Sequence, residues 1–188
     1  MRRRLGRWAP AVAIVVVAGV AGVLRLSGDD EPDPEAVQSS AAVFETLDDL
    51  VAASDLVVVG TITDVADGRT ITSPGDPGAG IRTRLVELDV TDALHGDAPD
   101  PLVVEEANAF ADGAPIVLDG MTELHDGDTA IWFLVAGGSD AMPYYAVVNS
   151  QGRFQIMGDS LTASGDDALS LELVALGPDG LAAAITEL

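Results

Sequence analysis

Ser160, in Gly158-Asp159-Ser160-Leu161, carries a hydroxyl that could act as a nucleophile if a base activated it. Such a serine needs a histidine base and an acid to orient it. Only 27 residues follow Leu161, and none of them is His. The block therefore reads as a polar turn closing a strand over Phe154–Met157. Glu105-Glu106, with Glu123 further on, raise a second possibility, the paired carboxylates of glycoside hydrolysis. Sugar clefts are commonly lined with aromatic rings, and only 4% of this chain is aromatic. Trp132 lies in the most apolar run outside the N-terminus and reads as core. Of Tyr144-Tyr145, one must face outward if the pair lies on a strand, a pointer to a binding face.

Metal chemistry is no better supplied. The two histidines, His95 and His125, stand beside acids (Asp92 and Asp97; Glu123, Asp126 and Asp128) but in turn-like segments, without the i,i+4 pairing that fixes a zinc ion. Asp126-Gly-Asp128 and Asp166-Asp167 offer the oxygen ligands that calcium prefers, yet neither follows the spacing of a calcium loop with a closing Glu. No residue is assigned a catalytic, cofactor-binding or metal-ligating role on these patterns, and no cofactor is expected.

Charge restricts the partners. All nine basic residues are Arg, against 31 acids, for a formal net charge of −22. Five of the Arg (Arg2, Arg3, Arg4, Arg7, Arg25) lie in the first 25 residues, which leaves four Arg against 31 acids, a formal −27, in the remainder. So acidic a surface repels phosphate backbones, which excludes nucleic acid as a partner. Trp8 to Leu24 is an uncharged run of 17 residues between the Arg cluster and an acidic stretch beginning at Asp29. Positive flanks stay inside, so residues 1–26 are expected to form a signal anchor or transmembrane helix with a cytoplasmic N-terminus and an exported C-terminus. Cleavage near Gly19-Val20-Ala21 would instead release a secreted chain. The absence of Cys removes disulfides, a lipid-modified Cys and thiolate metal sites.

The elements that must position these residues follow from periodicity. Residues 27–40, rich in Asp, Glu, Pro and Ser, read as an acidic disordered linker, and 41–188 as one exported domain. Phe44, Leu47, Leu50 and Val51 have helical spacing. Strands are expected over Leu56–Val65 with a bulge at Gly60, over Val86–Thr91, over Leu102–Glu106 and, centrally, over Ala130–Val135. Tyr144–Val148 and Arg153–Met157 are expected to form a hairpin through Asn149-Ser-Gln-Gly. Asp67–Gly80 reads as a long exposed loop and Ala107–Asp128 as loop-like, with a fragment at Ile116-Val-Leu. A short helix is expected after Gly177-Pro178-Asp179. The fold class is mainly β: a small β-barrel or sandwich of five or six strands with short flanking helices, plus the N-terminal membrane helix.

Three segments carry a resemblance: Ser54-Asp55-Leu-Val-Val-Val-Gly60, Val86-Glu-Leu-Asp-Val-Thr-Asp-Ala-Leu-His-Gly96 and Gly127-Asp-Thr-Ala-Ile-Trp-Phe-Leu. Their order resembles the oligonucleotide/oligosaccharide-binding-like (OB-like) barrel of exported or membrane-anchored actinobacterial-type proteins, and is similar to netrin-like and metalloproteinase-inhibitor-like barrels. The resemblance implies a fold over roughly residues 44–156 and no functional residue. The chain lacks the Cys framework of the eukaryotic barrels, so it does not imply protease inhibition. Residues 158–161 also resemble the nucleophile block of the GDSL hydrolases, in which it lies near the N-terminus of an α/β domain. The expected role is binding or interaction at the cell envelope, with an envelope protein or ligand as partner. The alternative is an envelope hydrolase using Ser160 or a carboxylate pair.

Overall fold

Leu56–Ser73 (β1) and Thr129–Ser139 (β4) begin with near-continuous apolar runs because both of their faces are covered. The computed structural model describes residues 43–73, 76–116, 123–139 and 142–188; the predicted membrane helix 1–26 and linker 27–40 lie outside them. β1 pairs antiparallel with Asp76–His95 (β2) along its length and with β4 over Leu56–Thr61. Leu102–Phe110 (β3) adds to β2, and Met142–Val147 (β5) joins β4 to β3 through a parallel contact at Val104 and Tyr145. The spatial order β4-β1-β2-β3 is a Greek key. With β5 it closes a ring of five strands.

One face of every ring strand points to a common core: Leu56, Val58 and Ile62, Val86 and Leu88, Leu102 and Val104, Trp132 and Leu134, with Tyr145 and Val147 packed against it. The alternate residues Val57, Ile131 and Phe133 face a second core outside the ring. The bulge expected at Gly60 lies instead on the partner strand: Val59 faces Asp92 and Gly60 faces Val90, so Thr91 of β2 is the extra residue, and the Gly60 carbonyl accepts a 3.2 Å bond from the Trp132 indole. Ser54-Asp55 and Gly96 meet at one corner. Asp55 accepts from the Ala136 amide at 2.8 Å, and Gly96, at φ 75°, sits where a Cβ would lie 2.5 Å from the Asp55 carbonyl.

Three expectations are corrected here. Asp67–Gly80 is no loop: β1 runs to Ser73 and β2 starts at Asp76, and Thr70-Ile-Thr stays in register with Gly80-Ile-Arg82. Likewise β3 continues through Ala107 to Phe110, while Ile116 donates to the Asn108 carbonyl; residues 117 and 118 of the expected fragment lie outside the described residues. The Asn149-Ser-Gln-Gly segment is also no hairpin. Arg153–Met157 (β6) and β5 lie along the same edge of β4, and residues 148–152 bulge between them. Phe133 accepts from the Val148 amide at 3.1 Å and donates to the Gly152 carbonyl at 2.8 Å, so the excursion spans one residue of β4. At that break β5 continues the ring and β6 turns away to pair with Ser160–Ala163 (β7), making seven strands in all.

Helices cover the second core. Leu47–Ala52 (α1) is capped by Thr46, whose hydroxyl accepts from the Asp49 amide at 3.1 Å, and buries Leu50 and Val51. Ala168–Thr186 (α2) was expected only in its second half; it starts at the Asp167 cap, kinks at Gly177 (φ 70°) before Pro178, and buries Leu169, Leu173, Leu181 and Ile185. By length and hydropathy it is the one membrane-span candidate among the described residues, yet these four side chains pack in the domain core. Phe133 and Phe154 meet edge to face at 5.9 Å beneath it.

Gln151, 2% exposed in the bulge, ties the layers together. Its amide accepts from the Phe44 N–H at 2.8 Å, donates to the Phe44 carbonyl at 3.0 Å and donates to Asp167 at 2.8 Å. Replacing Gln151 with Leu strands these groups and should cost about 2–4 kcal/mol in urea unfolding, at about 1 kcal/mol per bond; a loss below about 1 kcal/mol would deny it this role. Burial alone would raise the Asp167 carboxyl, but bonds from Ser170 and Gln151 outweigh it and hold the group below its ordinary 3.8. The lowered value means stability present above that ordinary pKa and lost as pH falls through the folded one. Acid unfolding curves of Asp167→Asn should therefore be flatter below about pH 4 than those of the unaltered protein.

Candidate functional site

Glu105 and Glu106 are neighbours on β3, so their side chains leave opposite faces of the strand. Both are buried, at 9% and 7% exposure, and each is held by arginine. On the outer face Glu105 takes a bidentate pair of 2.9 Å bonds from Arg69 and a 2.8 Å bond from the Thr83 hydroxyl. Arg69 also bonds the Tyr144 hydroxyl, with its guanidinium carbon 5.0 Å from the centre of that ring. The bonds that Arg69 donates to Glu105 raise the Arg69 pKa, and burial raises that of Tyr144, so the pair stays cation and neutral phenol.

On the inner face Arg84 reaches Glu106 at 3.0 Å and Arg153 reaches it at 3.5 Å. Arg153 is 2% exposed, with its guanidinium carbon 5.6 Å from the centre of the Trp132 ring. Desolvation pulls its pKa down, opposed by the charge of Glu106. The carboxylates expected as a hydrolytic pair therefore face apart, and each is an anchor for guanidinium groups. They cannot flank one glycosidic bond.

The remaining sequence candidates are dispersed. Ser160 is exposed at the start of β7, opposite Met157 across the Gly158-Asp159 hairpin turn, while His95 ends β2 and His125 occupies a separate turn. Asp128 closes that turn by accepting from the His125 amide at 2.9 Å, and Asp167 serves as the α2 cap. Among the described residues no group of three or more His, Asp or Glu side chains is arranged to hold a metal ion. Tyr144 faces out to Arg69, whereas Tyr145 packs on the ring core, so the outward tyrosine is now identified.

Sequence reasoning missed the surroundings of Thr83. In the β1–β2 ladder Asp67 faces Arg84 and Thr70 faces Arg82, so Gly68 and Arg69 both stand against Thr83. In the β2–β3 ladder Arg82 faces Ala109 and Thr83 faces Ala107, so Asn108 is an extra residue on the other side. Two bulges thus flank one threonine. Its hydroxyl accepts from the Arg69 amide at 2.9 Å, replacing a missing ladder bond, and Gly68 leaves room for it, since a Cβ there would collide with that oxygen. Beside the bulges lies a cleft of about 260 Å³ lined by Asp67, Thr70, Arg82, Thr83 and Asn108, among others. The usable signal was the scarcity of arginine: three of the four beyond residue 25 lie within Gly68–Arg84, a span read as loop to Gly80 and assigned to no element after it.

No family model matches the chain, and a search of curated proteins finds no match. The inner and outer ion pairs predict different costs. Glu106→Gln removes the carboxylate that Arg84 and Arg153 share at the inner face and should destabilise by about 3–5 kcal/mol. Glu105→Gln releases an Arg69 side chain that is already 50% exposed, and should cost about 1 kcal/mol. Equal costs in chemical unfolding would contradict the inside and outside assignment.

Proposed function

We propose that the chain is an extracytoplasmic OB-like β-barrel module that binds a ligand or protein at the cell envelope. Its N-terminal segment 1–26 anchors it in the membrane and residues 27–40 tether it. The OB-like reading is supported by the five-stranded Greek-key ring, the architecture of that barrel family. The topology reading is supported by the split charge, with basic residues ahead of the apolar run and acid after it.

One observation carries the choice of binding over catalysis. The buried carboxylates Glu105 and Glu106 are each committed to arginine, on opposite faces of one strand. A general acid or base needs a group free to exchange its proton with a bound substrate, whereas these brace the sheet.

Two measurements test this reading. Protease added to intact spheroplasts should digest the domain of the full-length protein and spare a tag at its N-terminus; protection of the domain would reverse the topology. Purified full-length protein should leave p-nitrophenyl acetate at the background rate, with Ser160→Ala unchanged. Hydrolysis that this substitution removes would replace the binding reading with the hydrolase.

A further inference from the structure

The cleft beside Thr83 has a chemistry of its own. Of the four arginines in the described residues, Arg82 alone has no carboxylate within 4.0 Å, although residues 43–188 hold 26 acids. Thr70 stands opposite Arg82 on one side and Ala109, next to Asn108, on the other. Asn108 lines the cleft, and its amide oxygen is shielded from solvent with no partner among the described residues. Arg82, Asn108 and Thr70 all line this cleft and each carries a hydrogen-bond donor, a set suited to a carboxylate.

A simple anion is a poor occupant. The domain carries four Arg against 26 acids, and its field repels any ligand with net negative charge. The same cleft includes Asp67, exposed and without a basic partner within 4.0 Å among the described residues. Asp67 and Thr70 face Arg84 and Arg82, two residues apart on β2 and so about 7 Å along the sheet. That separation matches the two ends of a dipeptide, at about 3.3–3.6 Å per residue.

We infer that this cleft binds a short peptide with free ends, its C-terminal carboxylate on Arg82 and Asn108 and its N-terminal ammonium at Asp67. The inference rests on the binding-module reading and names the ligand class for it. The two bulges bend the sheet beside Thr83, as bulges next to functional sites do when they re-aim side chains.

Isothermal titration of the full-length protein in detergent micelles tests it, with Ala-Ala as the probe. Saturable binding of Ala-Ala at millimolar concentration is expected, together with loss of binding for the C-terminal amide of Ala-Ala and weakening for N-acetyl-Ala-Ala. Arg82→Gln should weaken Ala-Ala about ten- to a hundredfold, the worth of a charge-assisted bond, with the melting temperature of the free protein unchanged. Asp67→Asn should weaken Ala-Ala while leaving N-acetyl-Ala-Ala unaffected. Absence of saturation, equal binding of the amide, equal binding of free alanine, or an unaltered affinity in Arg82→Gln would each overturn the proposal. None of these failures alters the protease-accessibility or ester-hydrolysis readouts, so the loss of this ligand and the loss of the binding-module reading remain distinguishable.

Discussion

The pairing of Leu56–Thr61 with Thr129–Leu134 is the contact on which the rest of the structure depends. It brings the fourth strand back to the first and so closes the ring. Closure gives these two strands an inside, filled by Trp132, Leu134, Leu56 and Val58, and an outside, filled by Phe133, Ile131 and Val57. A strand buried on both faces needs a second layer over its outer face. The two helices and β6–β7 supply that layer, and the bulge at residues 148–152 lets one edge of β4 serve the ring and the outer layer. Gln151 sits in that bulge and fastens the entry of the domain to the start of α2, so the place where the sheet divides is also where its layers are joined.

Scarcity of positive charge organises the polar interior. With no Lys and four Arg beyond residue 25, each guanidinium is a limited resource, and three are spent on two buried glutamates. Burying an unpaired carboxylate is expensive, while Arg offers a planar fork that satisfies it and can rest on an aromatic ring. Arg153 against Trp132 and Arg69 against Tyr144 repeat that solution on the two faces of the sheet. The remaining acids lie largely on the exposed surface, where solvent and counterions serve them.

Much of the architecture was legible before any contact was known. Alternation over Val86–Val90 marked a sheet with one wet face, and the runs at Leu56 and Ala130 marked strands without one. The extension of β1 and β2 through Asp67–Gly80 was not legible. Glycine and proline there suppress the periodic signal, and what holds the segment is backbone pairing to the partner strand. The first half of α2 hid for another reason: Leu169, Leu171, Leu173, Val174 and Leu176 fit both a strand alternation and a helical face, and only the cap at Asp167 decides. Asn149-Ser-Gln-Gly has the composition of a hairpin, but a turn and a bulge draw on the same residues, and the choice depends on which strand lies alongside.

The sequence by itself determined the class of fold, the two-sided burial of the central strands and the division of charge along the chain, because these follow from side-chain periodicity and charge count. Only the tertiary structure decided that Glu105 and Glu106 point apart, that Tyr144 is the outward tyrosine, and that Arg82 stands beside a double bulge at Thr83 with no carboxylate partner among the described residues. Those outcomes depend on register between strands distant in sequence. A shift of one residue exchanges the faces of a strand, and composition carries no record of it.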